Sequence, residues 1–415
     1  MLGNRTQPSA AVLSTLIVIL GFVAGWIVLM SMKLAGNATD LPRYHEYGAA
    51  MHHGLVPYRD FRVEYPPLAL ATFVLPSLVA SAYRGYRIAF EVLMAVCGAG
   101  VIVAVSLTLV RLRESVATPI AFVAAATIAL GPITLGHYDL WPALLVSAAL
   151  AALNWDRTLT AAFLIGAAIA AKIYAIVLVP IAIIWIWRRF GRRRAAVCLG
   201  VTVATVLVCF MPFVIVSPGG VWWSLSDQAN RPLQIESSAA AVLLAAHHVV
   251  SLPIGVDFSH TSVNLGGWSA KVAAAVTTAA EILLLLFVWL TFARQTLSRR
   301  SLIGSSTAAV LAFVLLGKVF SPQFLIWLIP LVPLLGGTLA LAGSCALGAA
   351  IVLTRAYFPG RWSNLIRFET LPTLLLAARD AVLLALLVTV IVTTLRRHPR
   401  AKALRHPLPG GPLRD

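Results

Sequence analysis

Long apolar runs set the terms on which this chain can fold. Residues 10–34, 86–110, 195–216 and 270–292 carry few charges, and each is long enough to cross a hydrocarbon core of about 30 Å as a helix. In hydrocarbon the backbone polar groups must be paired within the segment, which a helix achieves and an open strand does not. A barrel would show alternating runs of about ten residues. The composition agrees: 60% of the 415 residues are hydrophobic, 11% are charged and the mean hydropathy is +0.90. The expected class is an all-α polytopic membrane protein.

The formal charge of +17 would point to nucleic acid in a soluble protein. Here the arginines sit in short loops and in the tail: Arg111 and Arg113, the run RRFGRRR over 188–194, RQTLSRR over 294–300, and RRHPRAKALRHP from Arg396. That is the pattern of the positive-inside rule, so the expected partners are anionic membrane lipids and no nucleic acid is expected. Arg5 precedes the first apolar run, but a signal h-region spans about 7–15 residues and this run is longer, so it reads as a retained span. Cys97, Cys198, Cys209 and Cys345 lie inside apolar runs without CxxC spacing and read as small core residues. The excess of arginine over lysine, with abundant alanine, suggests a bacterial source and hence the bacterial cell membrane.

Arranging the loops so that every arginine cluster lies inside gives about twelve spans with both termini cytoplasmic. This requires residues 66–82, apolar but short and holding three prolines, to lie in the interface rather than cross. Residues 158–187 then divide into two short spans with Lys172 near the outer turn, and residues 239–250, with His247 and His248, form a re-entrant or interfacial helix. The last span is placed at 381–395. With no linker, low-complexity segment or repeat in view, the chain reads as one membrane domain over residues 1–395, with a first external loop at 37–85 and a basic cytoplasmic tail at 396–415. Inner loops are short and basic, whereas outer segments mix Trp, Tyr, His, Asp, Glu and Gln, so the active face is expected to be extracytoplasmic.

The densest polar stretch is residues 39–67, TDLPRYHEYGAAMHHGLVPYRDFRVEYPP. Unpaired charges cost several kcal/mol in hydrocarbon, which places it in water or at the interface. Two readings of Asp40 stand: Thr39 or Asp40 caps a loop helix, or Asp40 is a carboxylate base that takes a hydroxyl proton.

D-L-x-x-Y-x-x-Y over 40–47, followed by GLVPYRDFRVEYPPLA over 54–69, resembles the first external loop of lipid-linked-sugar glycosyltransferases of the GT-C class. The closest similarity is to glycosyltransferase family 87, the polyprenyl-phosphomannose-dependent mannosyltransferases. GHYDLWPALL at Gly136, AAKIYAIVLVP at Ala170, RPLQIES at Arg231 and GKVFSPQFLIWLIP at Gly317 extend the likeness along most of the chain.

The resemblance implies a GT-C bundle with interfacial helices in the first external loop. It also implies a catalytic Asp directly after the first span, which falls on Asp40. YRDFRVEYPP departs from the characterised members by supplying Asp60 and Glu64; Asp60 is the second candidate base, or else pairs with Arg59 or Arg62. The implied reaction transfers mannose from a polyprenyl-phosphate donor to an envelope glycolipid or glycan. A lipid phosphate is a good leaving group, so one base suffices and direct displacement inverts the anomeric carbon.

Developing phosphate charge needs fixed donors, for which Lys172, Arg59, Arg62, Arg231 and Lys318 are the outer-side candidates; Lys172 also reads as a snorkelling lysine. His137, Asp139, Gln234, Glu236 and Gln323 are candidates for sugar or acceptor contacts. Trp222 and Trp223 read as an interface belt or a sugar platform. No HExxH, CxxC, Walker A or GxGxxG stands in a suitable place, so no metal or cofactor is expected. The competing reading is a polytopic transporter or flippase of envelope precursors, which would carry ionisable residues at mid-membrane; here only Glu91 and Glu281 lie so.

Overall fold

The computed structural model describes residues 8–32 and 39–396. α1 (Pro8–Ser31) leads to α2 (Leu41–His52), then to the short α3 (Leu70–Ser77) and the long α4 (Tyr83–Leu112). Trp26, near the end of α1, donates to Glu91 O near the start of α4, while Thr15 meets Ser106 further along. α1 and α4 are therefore antiparallel neighbours, and the segment between them returns to the end of the bundle that it left. His45 on α2 confirms the return, bonding Ser81 O at 2.9 Å and packing against Tyr86. Pro76 and the brevity of α3 suit a helix lying across that end.

The chain continues through α5 (Ala117–Ala129), α6 (Pro132–Gly136), α7 (Leu140–Asn154) and α8 (Thr158–Ala171). Lys172 breaks the run, with an extended backbone and a 3-10 turn over Ile173–Leu178 before α9 (Val179–Phe190). α10 (Arg192–Val216) and α11 (Pro218–Ala229) follow, then α12 (Ser238–Val250), capped by the Ser237 hydroxyl. α13 (Trp268–Arg294) and α14 (Arg299–Leu316) form the next antiparallel pair. A broken segment over Pro322–Leu335 contains α15 (Leu325–Leu328), and α16 (Gly337–Tyr357), α17 (Trp362–Ile366) and α18 (Thr370–Arg396) complete the fold.

Among the described residues eight helices are long and apolar enough to cross a membrane, fewer than the twelve spans expected. The other expected spans fold as the shorter helices Ala117–Ala129, Leu140–Asn154, Thr158–Ala171 and the broken Pro322–Leu335. α7, α8 and the Pro322–Leu335 segment are mostly buried among other helices, and backbone covered by protein need not match the bilayer thickness.

Two expectations change. The last helix starts at Thr370 rather than 381, because the Arg379 and Asp380 charges that marked a loop pair with each other at 2.8 Å inside the bundle. The stretch after α12, read as loop, contains a hairpin of β1 (Gly255–Ser259) and β2 (Ser262–Gly266), with Asp257 opposite Asn264. The tail at 397–415 lies outside the described residues.

At the end opposite α2, Asp156 collects Arg111, Arg189 and Arg299 at 3.0–3.3 Å. Arg111 and Arg299 also each donate to Asn154 O. The arginines that read as topology anchors thus also bind four loops into one rigid end.

Candidate active site

A cavity of about 1010 Å³ lies at the α2 end, and its wall includes Asp40, Glu64, His137, Arg231 and the hairpin. Asp40 is the N-cap residue of α2, yet its side chain makes no capping bond. Thr39 Oγ1 takes the Leu41 N–H instead and also donates to Gly136 O. A Cβ at Gly136 would collide with Thr39, so only glycine lets the two segments approach this closely. Asp40 is thereby left to face the cavity.

Tyr44 and Tyr65 both direct hydroxyls to Asp40 Oδ2, at 3.2 and 3.3 Å. Both rings sit in an aromatic cluster with Phe73 and Tyr138. Burial, reinforced by the Asp40 charge, pushes both phenols well above their ordinary range, so they remain O–H donors. His137 Nε2 stands 3.8 Å from the same oxygen.

Glu64 faces the cavity beside Arg43 at 3.4 Å and accepts from Thr261, at the hairpin tip, at 2.7 Å. Arg231 also lines it. Its hydrogen bonds, to Gln228 and His260 O, are both 3.4 Å long, and its buried Nε has no partner. Burial lowers the Arg231 pKa against the pull of Glu64, and the unpartnered Nε leaves the cation with hydrogen-bonding capacity to spare.

Lys172 faces the cavity but is tied to Asp139 at 2.5 Å. Asp139 is 1% exposed, lies behind the wall, and also accepts from Trp327 Nε1 at 2.8 Å. The ammonium lies 5.1 Å from the Trp327 ring, which stacks between Tyr174 and Phe324. Lys318 donates to Ala229 O at 2.7 Å. Its pKa is lowered by burial, against the opposing charge of Glu281.

Gln234 reaches Ser321 at 2.9 Å and Glu236 at 3.4 Å, and Gln323 lines the same wall. Burial raises Glu236 to about 8, against Arg379 and the Tyr357 hydroxyl. Arg379, fully buried on α18, donates to Tyr357 and to Glu236 O and lies 3.8 Å from the Phe320 ring centre. These contacts pin the 231–237 loop, the 317–324 turn and two helices together.

Asp60, Arg59 and Arg62 lie outside the cavity. Asp60 closes a turn on the Val56 N–H and pairs with Arg59 at 2.8 Å, contacts that hold its carboxyl down at about 2. Arg62 covers Trp223, and Trp222 is exposed. Among the described residues no group of three or more His, Cys, Asp or Glu is placed to hold a metal ion.

The structure adds Arg43, Tyr65, Tyr138, Trp327, Tyr357 and Arg379 to the residues that build the site. Arg379 carried a sequence signal, a charge inside an apolar run; the aromatic cluster carried none, since aromatic residues are common in any bundle.

The family model described as Glycosyltransferase family 87 matches residues 64–322, more than half of the chain. The curated proteins give no match. Among solved structures, the fold is similar to ArnT from Cupriavidus metallidurans bound to undecaprenyl phosphate. That likeness has 14% identity and a TM-score of 0.51 over 92% of this chain and 77% of that one. The apo state of the same protein gives 15% identity and 0.50 over 92% and 76%.

Proposed function

The chain belongs to glycosyltransferase family 87, and from that premise we propose that it moves mannose from a polyprenyl-phosphate donor to an envelope glycolipid or glycan. The reaction takes place on the extracytoplasmic face of the bacterial cell membrane and inverts the anomeric carbon. The observation that carries this reading is the makeup of one cavity, in which Asp40 shares a wall with Arg231, Lys172 and Lys318.

The same cavity includes Thr278 and Glu281 of α13 and Phe313 of α14. These α13 positions lie roughly 15–20 Å along the helix from its start at a rise of 1.5 Å per residue. A space that runs from a polar mouth down the side of apolar helices suits a donor whose phosphate sits at the interface and whose chain stays in the bilayer. The structural neighbour that binds undecaprenyl phosphate supports that class of donor.

In the proposed mechanism Asp40 takes the acceptor hydroxyl proton as the oxygen attacks the anomeric carbon and the phosphate departs. Arg231, whose two hydrogen bonds are both 3.4 Å long and whose Nε has no partner, binds the departing phosphate. Lys172, neutralised by Asp139, shapes the wall and carries less of that load. Gln234, Glu236 and Gln323 offer amide and carboxyl groups to sugar hydroxyls.

The test is to incubate membranes containing the protein with radiolabelled polyprenyl-phosphomannose and separate lipid from glycan fractions. Label entering an acceptor in protein-dependent fashion supports the reading, and transfer only from another lipid-linked sugar would replace mannose. No transfer from any polyprenyl-phosphate sugar would remove the reading.

A further inference from the structure

We propose that His137 is the positioning residue that takes the proton from Asp40 after each transfer, an inference that rests on Asp40 being the base. The imidazole is 6% exposed and lines the cavity. Its Nδ1 lies 2.7 Å from Ile133 O. A carbonyl oxygen only accepts, so Nδ1 holds the N–H and, in the neutral ring, Nε2 holds the lone pair. That nitrogen faces Asp40 Oδ2 at 3.8 Å.

The juxtaposition is built into the backbone. Thr39, one residue before Asp40, bonds Gly136 O, one residue before His137, across 97 positions.

Of the groups around Oδ2, the phenols of Tyr44 and Tyr65 can only donate, because burial holds them protonated. His137 Nε2 is left as the acceptor. A lone pair facing a carboxylate gains nothing while Asp40 is ionised, and at 3.8 Å the two atoms are not hydrogen-bonded. Once Asp40 is protonated, its O–H has an acceptor in line, and the gap closes to a hydrogen bond.

The steps balance. The acceptor O–H breaks and its proton joins the Asp40 carboxylate, while the oxygen pair forms the bond to the anomeric carbon. The bond from that carbon to the phosphate oxygen breaks, and its pair leaves on the phosphate. The Asp40 proton then passes to Nε2, giving a carboxylate and an imidazolium with N–H on both nitrogens. The imidazolium releases its proton to cavity water before the next turnover.

Three readings test the relay in the full-length protein. Nitrogen-15 NMR of labelled histidine, assigned with His137→Gln, should show the neutral ring of His137 protonated at Nδ1. The opposite tautomer leaves Nε2 without a lone pair and overturns the proposal whether or not sugar is transferred. His137→Ala and His137→Asn should both lower kcat about 100-fold, the lower range for a lost proton-transfer group, with KM for the lipid donor unchanged. Added imidazole should restore part of the His137→Ala rate.

A merely structural histidine predicts otherwise: the Asn variant, whose amide nitrogen takes the place of Nδ1 and keeps an N–H for Ile133 O, would stay near the wild-type rate. That result, a change confined to KM, or a His137→Ala loss that imidazole does not lift would overturn the relay. A wild-type protein that moves no sugar from polyprenyl-phosphate donors is a failure of the transfer reading, and the tautomer then decides the relay alone.

Discussion

Thr261 donates its hydroxyl to Glu64 Oε2 over 2.7 Å, joining the tip of the hairpin to the first polar loop across 197 positions. Thr261 does this from a left-handed backbone, φ 52, beside His260 at φ 53. A two-residue hairpin turn of that kind favours Asn-Gly, and a β-branched residue there is strained. Strain held in place by a contact across a cavity mouth marks a position kept for something other than turn stability.

The contact ties the hairpin to the cavity mouth, and Glu64→Ala should release it. The expected outcome is faster amide exchange across 255–266 and a KM for the donor raised about tenfold, the effect of one lost charge-assisted hydrogen bond. Thr261→Gly relaxes the turn but also loses the hydroxyl, so it should raise KM while leaving thermal stability unchanged or higher.

Lys172 and Asp139 make a different kind of pair, with side chains 16% and 1% exposed. Removing one partner strands the other charge, so Lys172→Met should destabilise the protein by about 3–5 kcal/mol. Lys172→Met with Asp139→Leu should recover part of that stability, because no buried charge is left although the Trp327 N–H loses its acceptor. Thermal unfolding in detergent reads both.

Arg231→Lys keeps the charge but loses the planar fork that grips a phosphate. Arg231→Met loses both. KM for the lipid donor should rise in that order, by about tenfold or more for Met, given about 1.5–3 kcal/mol for a charged hydrogen bond. Equal effects from Lys172→Met would move the phosphate toward the Lys172 ammonium.

Glu236 sets a pH dependence. Its folded pKa of about 8 lies above the ordinary 4.5, so the folded state binds the proton more tightly than the unfolded chain. The stability this gives is fully present below pH 4.5 and is lost as pH rises through 8. The unfolding temperature should therefore fall across that window, and Glu236→Gln, which cannot ionise but still accepts from Tyr357, should flatten the fall.

The bundle was legible because apolar length and arginine placement are one-dimensional signals, and residues 66–82 were recognised as not crossing from charge alone. Lys172 and Asp139 both stood out in the chain, but nothing in it tells that they are 2.5 Å apart. The hairpin escaped notice because its turn residues, His260 and Thr261, are not turn formers. Arg379 and Asp380 misled the boundary of α18, since two adjacent charges read as water until a partner inside the protein is known. The phenol pair on Asp40 depends on the fold of 41–65, which no periodicity reveals.

The direct measurement is the rate of sugar transfer from a polyprenyl-phosphate donor by Asp40→Asn protein, purified beside wild type and matched for unfolding temperature. Asn still accepts from Tyr44 and Tyr65, so the fold should hold while the rate falls about 10²–10⁴-fold, the range for a lost general base. Transfer by a folded Asp40→Asn variant at the wild-type rate would contradict the account.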